Sequence, residues 1–375
     1  MSCRVRMKMQ MKARTRVRMK ARIKVAIGFG ALMLASPLAL AEDVRIGVLG
    51  LFHPRQFTVS AADGTAIVVH AGQETFVLER SSGAHVAEMR TLGSMMVVRV
   101  GTHVVHTPKL TATGRASGPA DFVLAVPGKI ARHYRGTLEL KPVSGALVAV
   151  VGMDLETAVA SVVAAESLSG APPEALKAQA VAARSYFVAG KGRHSGFDFC
   201  DTTHCQFLRE PPGRGSAAEA VSATRGLVMV YQSQPFAAMY TRSCSGRTRT
   251  PVELGFSPGN YPYYSVDCKY CREHPSHWQS RISARDASTV RSSDEAARLK
   301  MDRRLGWSTV PSNSFAKRSE GDRVILEGTG EGHGIGLCQS GAMAMAEEGA
   351  SFQQILSHYY PNATVVSLER AASSR

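Results

Sequence analysis

The chain runs to 375 residues with 45 Lys/Arg against 30 Asp/Glu, a formal net charge of +15 and 44% hydrophobic residues, which allows two core-bearing units of the usual ~100–200 residues each. The charge does not point to nucleic acid, because no basic stretch interleaved with aromatic residues accompanies it.

Much of that charge belongs to one end. Residues 1–41 hold ten Lys/Arg, from Arg4 to Lys24, and no acid; an apolar run over 25–40 follows and closes on Ala39-Leu40-Ala41. A basic stretch, a short apolar run and small residues before the expected cut after Ala41 make a secretory signal peptide. The run contains Pro37 and is shorter than the ~20 residues that span a bilayer. An uncleaved N-terminal membrane tether is the alternative, and the length of the basic stretch leaves Met19 or another internal Met as a competing start. Without the segment 334 residues remain at a formal +5. The expected location is the periplasm or cell-wall space, where a mildly cationic protein suits an anionic wall.

Residues 42–145 alternate apolar and polar in short runs such as Ala66-Ile67-Val68-Val69, with turn signals such as Ala62-Asp63-Gly64 between them, which predicts a β-rich N-terminal region. From 146 to 365 the pattern predicts a core of mixed helix and sheet, and 366–375 is left as a C-terminal tail; the fold class is α+β. Asp154 can cap a helix over 155–163, and Pro172-Pro173 and Gly190 bracket a second one. A Cys/His-rich loop (191–206), a helix over 216–224 and strands over 227–231 and 236–240 come next. Pro/Gly/Tyr-rich (255–264) and Ser/Arg-rich (280–298) stretches read as surface segments. A glycine-rich turn (328–336) and helices over 340–348 and 352–360 end the core. No internal repeat is present.

Glu166 closes the small, apolar segment Val162-Val163-Ala164-Ala165, and apolar surroundings favour the neutral form of a carboxyl, as a general acid requires. Lys177 and Arg184, seven apart, share a helix face and could hold an anion; a solvated stripe is the plain alternative. His194, Cys200, His204 and Cys205 offer the two imidazoles and two thiolates that tetrahedral zinc prefers, although adjacent His204-Cys205 is not the usual spacing. Cys268-x-x-Cys271 with His274 and His277 is a competing donor set, and a Cys244–Cys271 disulfide a further alternative, since six cysteines in an exported chain also suit disulfides. Gly330, Gly332, Gly334 and Gly336 alternate around His333. So much glycine predicts either backbone lying close to a ligand or a turn that needs positive φ. No Gly-Lys-Ser/Thr follows, which excludes a nucleotide loop.

In order along 140–362 stand Glu166, then Glu174-Ala175-Leu176-Lys177-Ala178-Gln179-Ala180-Val181-Ala182-Ala183-Arg184-Ser185-Tyr186, Cys200-Asp201-Thr202-Thr203-His204-Cys205-Gln206, Tyr240-Thr241-Arg242-Ser243-Cys244-Ser245-Gly246, Gly332-His333-Gly334-Ile335-Gly336-Leu337-Cys338-Gln339-Ser340-Gly341-Ala342 and His358-Tyr359-Tyr360-Pro361. This series resembles the stage II sporulation protein D family, whose relatives include the enhancer of the wall amidase. The resemblance implies a lytic transglycosylase acting on peptidoglycan glycan strands, with Glu166 as the one acid/base and Lys177, Arg184, Tyr240, Ser243, His333 and Gln339 arranged around the substrate. It implies sporulation or wall remodelling as the setting and a cell-wall amidase as a candidate partner; a non-catalytic enhancer of that amidase is the rival reading. The chain departs from the family pattern at Glu166-Ser167-Leu168, where relatives carry Glu-Met-Pro, at Ala171, where an aromatic is expected, and at Cys244-Ser245-Gly246, where Cys-Gly-Gly is usual.

Overall fold

The computed structural model describes residues 43–81 and 84–373, so the predicted signal peptide lies outside the described residues. The architecture is α+β with a β-rich N-terminal half, as the patterning predicts. Eleven strands come first: β1 (Asp43–Val48), β2 (Gln56–Ala61), β3 (Ala66–Ala71), β4 (Glu74–Glu79), β5 (Val86–Leu92), β6 (Met95–Val100), β7 (His103–Thr107), β8 (Leu110–Thr113), β9 (Ala120–Val126), β10 (Ile130–Val143) and β11 (Ala146–Asp154). β10 is the hub, pairing antiparallel with β9, β8 and β11. Alternation sets the inner face: in β9, Ala120, Phe122, Leu124 and Val126 are buried and their neighbours are not. The expected boundary near 145 falls at the β10–β11 turn, and the sheet continues past it through β1 to β12 (Phe199–Cys200).

β11 runs directly into α1 (Leu155–Glu166), where the Asp154 carboxylate accepts from the Thr157 N–H at 3.1 Å. α2 (Pro173–Ala189) begins on proline, which costs no helical hydrogen bond at that position. Its small side chains let neighbours approach on two sides. Leu176, Ala180, Ala183 and Phe187 face the core shared with the β-rich half, while Ala175, Ala178, Val181 and Ala182 face a second core. α3 (Ser216–Ala223) packs on α1 and α2. β13 (Leu227–Tyr231) pairs with β14 (Gln234–Pro235) and with β20 (Thr364–Ser367), so the expected strand over 236–240 shrinks to β15 (Tyr240–Thr241), bound parallel to β19 (Leu337–Cys338).

Two expectations are corrected. The Ser/Arg-rich stretch belongs to a small unit with its own core: α4 (Lys269–Glu273) leads to β16 (His277–Ser283), α5 (Ala284–Thr289), α6 (Glu295–Leu305), β17 (Phe315–Glu320) and β18 (Arg323–Thr329), with Ile282, Val290, Met301, Val310 and Leu326 inside. Its polar composition hid this because the buried charges neutralise one another: Arg298 forms two 2.7 Å bonds to Glu295 and one of 3.0 Å to Asp302. The expected tail also holds structure, since β20 and α9 (Leu368–Ser373) return to β13. α7 (Gln339–Glu347) and α8 (Phe352–Tyr359) stand where the helical spacing puts them. Among the described residues no helix is long and apolar enough to cross a membrane.

Candidate functional site

α1 ends at Glu166 because the chain turns extended at Ser167, leaving the carboxyl partly buried at the helix terminus. Burial pushes its pKa up to about 7, against the opposing pull of the Tyr240 hydroxyl and the Phe207 N–H. Among the described residues no cation pairs with it. The Phe207 N–H donates to Oε1 at 2.5 Å, the Tyr240 hydroxyl meets Oε2, and the Gln339 amide donates to the Glu166 main-chain carbonyl at 2.9 Å.

The Tyr240 hydroxyl has one proton and two acceptors, Glu166 and the Gln206 Oε1 at 2.9 Å. The Gln206 amide nitrogen is committed to the Ala183 carbonyl at 3.3 Å, so its oxygen must accept. All three groups are satisfied together only when Glu166 is protonated, donates to Tyr240, and Tyr240 donates to Gln206. The network can therefore take Glu166 in the protonated form that burial favours, while the Tyr240 hydroxyl turns to donate to Oε2 when the carboxyl ionises. Beside it lies a shallow cleft between α2, α7 and the turn after α1, with Ser167, Leu168, Gln179, Gln339 and Met343 on its walls.

The structure brings Glu166, Tyr240 and Gln339 together. His333 reaches the main chain of Tyr240: its Nδ1 accepts from the Ile335 N–H at 3.0 Å, and burial, partly offset by Glu295, lowers its pKa. Three other predicted contact residues are engaged within the protein. Arg184 is 0% exposed and its five N–H groups go to Glu156 at 2.7 and 2.9 Å and to the Leu227, Val221 and Ala180 carbonyls at 3.0, 3.4 and 3.5 Å, which leaves no donor for a substrate. Lys177 is paired with Glu174 at 2.6 Å, one helical turn back. Ser243 is buried and points at the Cys271 sulfur at 3.5 Å. Helix spacing placed Lys177 and Arg184 on one face correctly but carried no information about what covers it.

The glycine-rich segment is explained by its backbone. Gly330, Gly332, Gly334 and Gly336 all have φ between +72° and +93°, and a Cβ on Gly336 would lie 1.9 Å from the Met239 carbonyl. The close approach is to the protein's own 239–245 segment, and it sets the β15–β19 pairing that carries Tyr240 and Gln339.

His194, Cys200, His204 and Cys205 converge, with their donor atoms within 4.8 Å of one another. His194 Nε2 is 3.2 Å from the Cys205 sulfur and His204 Nδ1 is 3.7 Å from the Cys200 sulfur. Cys205 beside it draws the Cys200 pKa down to about 4, while Cys205 itself is raised. Two soft thiolates and two imidazoles at this separation fit one tetrahedral zinc with no open position. Gln206 and Phe207, which sequence reasoning left without a role, follow Cys205 directly and hold Glu166 and Tyr240. His274 and His277 lie outside both convergent groups: Cys268 and Cys271 meet Cys244 and Cys338 instead.

Residues 143–231 match the family model described as Stage II sporulation protein. The chain is 27% identical over 293 residues to Stage II sporulation protein D of Bacillus subtilis (strain 168), covering 63% of this chain and 82% of that one. It is 29% identical to an uncharacterized protein of Brachyspira hyodysenteriae over 64% of this chain and 73% of that one. It is also 25% identical to the Amidase enhancer of Bacillus subtilis over 52% of this chain and 38% of that longer one.

Proposed function

We propose that this chain, a member of the stage II sporulation protein D family, is an exported lytic transglycosylase that cuts the MurNAc–GlcNAc bond of peptidoglycan with Glu166 alone. The observation that carries the reading is a carboxyl without a counter-ion among the described residues, with a pKa of about 7, inside a network that is complete when it is protonated.

Glycoside hydrolases generally need a second carboxylate to act as nucleophile or to activate water. A lytic cut does not. Protonated Glu166 gives its proton to the leaving glycosidic oxygen as the anomeric bond breaks; the carboxylate so formed takes the proton of the sugar's own C6 hydroxyl, whose oxygen closes onto the anomeric carbon as a 1,6-anhydro ring. The Tyr240 hydroxyl can turn from Gln206 to the carboxylate between those steps, and the Phe207 N–H steadies the charge. Zinc held by His194, Cys200, His204 and Cys205 would be structural, fixing the loop from which Gln206 and Phe207 leave.

The similarity to the Amidase enhancer and the altered flank after Glu166 favour a second reading, a wall-binding protein that stimulates a separate amidase. One experiment separates the two: the protein lacking residues 1–41 and its Glu166→Gln variant are incubated with intact and amidase-treated wall, and the released ends are identified by mass. The enzyme reading expects anhydro ends from the parent protein and a loss of roughly 10²–10⁴-fold in the variant. Anhydro ends from neither, with faster release by added amidase, would establish the enhancer instead.

A further inference from the structure

We propose that Cys244, Cys268, Cys271 and Cys338 bind a zinc ion as a closed four-thiolate site, distinct from the His/Cys loop, that clamps β15, which carries Tyr240, to β19, which leads into Gln339. The four sulfurs come from separate places in the chain: the segment after β15, the two ends of one turn at α4, and the junction of β19 with α7. All lie within 4.8 Å of one another, and Cys271 and Cys338 are 3.5 Å apart. Zinc with four thiolates at ~2.3 Å sets sulfur–sulfur edges of ~3.8 Å, which this arrangement fits. A disulfide needs about 2.05 Å, and four sulfurs converging on one centre single out no pair.

The surroundings suit thiolates. Cys244, Cys268, Cys271 and Cys338 are 3%, 2%, 1% and 0% exposed. The Ser243 hydroxyl lies 3.5 Å from the Cys271 sulfur and the Tyr359 hydroxyl 3.4 Å from the Cys268 sulfur, the outer partners that metal thiolates take. Cys338 caps the nine-residue helix α7, whose N-terminal dipole favours negative charge. Room is reserved as well: a Cβ on Gly341 would stand 2.6 Å from the Cys268 sulfur and 2.0 Å from the Tyr359 hydroxyl. Binding converts four thiols and Zn²⁺ into a tetrathiolate with release of four protons, so nothing is oxidised.

The consequence is positional. Cys244 lies four residues after Tyr240, and Cys338 immediately precedes Gln339. An ion joining these cysteines fixes β15 against β19, and with them the hydroxyl and amide that hold Glu166. The site stands whatever reaction Glu166 serves.

The test uses the chain lacking residues 1–41, purified without chelator, beside a variant with Cys200→Ser and His204→Ala in the loop. Metal analysis should give two zinc per parent chain and one in the variant. A loop that binds no metal leaves both at one zinc, which keeps this proposal and removes only the loop assignment. Cobalt(II) exchanged into the variant should show the thiolate charge-transfer bands of a four-sulfur tetrahedral site. A variant without zinc, or one whose Cys244, Cys268, Cys271 and Cys338 resist alkylation in denaturant until reduced, overturns the proposal.

Discussion

Two carboxyl groups in this molecule, the partly buried Glu166 and the buried Glu295, are pushed in opposite directions. Burial works against ionisation at both. At Glu295 the hydrogen bonds and charge of Arg298 outweigh it and hold the carboxyl below its ordinary value, with Asn313 adding a further donor. At Glu166 the opposing groups are a neutral hydroxyl and a main-chain N–H, and the carboxyl rises to about 7. The difference is a counter-ion, and it divides structural from chemical use. A paired carboxylate locks helix α6 to the segment at Val310, where Arg298 also binds the carbonyl at 2.9 Å. An unpaired one keeps a proton it can give away.

The largest expected effect removes the counter-ion. Arg298→Ala leaves Glu295 buried and uncompensated, the condition of Glu166, and should cost about 3–5 kcal/mol of stability at neutral pH. The sign then reverses with pH. Paired Glu295 contributes stability above its unfolded pKa, whereas the orphaned carboxyl favours the protonated form, so the loss should shrink toward pH 4 in denaturant titrations. A pH-independent loss would mean that Arg298 acts through packing alone. Tyr240→Phe is the smaller sharpening. It deletes a donor to ionised Glu166, so the carboxyl pKa rises further and the alkaline limb of glycan cleavage should move up by about one unit or less, as read from turnover against pH. A limb that moves down would contradict the role of Tyr240 as a donor to the ionised carboxylate.

The sequence carried the elements whose signals are local. Asp154 as a cap, Pro173 in the first turn of α2 and the alternation over Ala66-Ile67-Val68-Val69 in β3 each act within a few residues and stand in the structure as read. Glu166 was legible from its apolar flank. Its partners were not, because Phe207 contributes only an N–H and Gln206 acts through an amide whose orientation depends on Ala183, 23 residues earlier. Arg184 misled for the converse reason: a cation on an alanine-rich helix reads as exposed until Glu156, 28 residues earlier, is seen to meet it. The Arg298 cluster was hidden in the same way, since neutralised charge looks like surface in composition. The cysteine spacing showed Cys268 and Cys271 as a pair and offered Cys244 as a disulfide partner of Cys271, but it could not identify Cys338, whose approach depends on the β15–β19 pairing.

The central claim, that burial holds Glu166 as an acid near neutrality because no cation among the described residues pairs with its charge, is tested most directly by the stability difference between Glu166→Gln and the parent protein from pH 4 to 8. Gln imitates the protonated acid, accepting from the Phe207 N–H and donating to Tyr240, but cannot ionise. With a folded pKa raised from 4.5 to about 7, the parent should lose stability relative to the variant as pH rises across that interval, and the difference should be flat on either side. A difference that is constant throughout, or that favours the parent as pH rises, would show that Glu166 is ionised in the folded protein and would contradict the account.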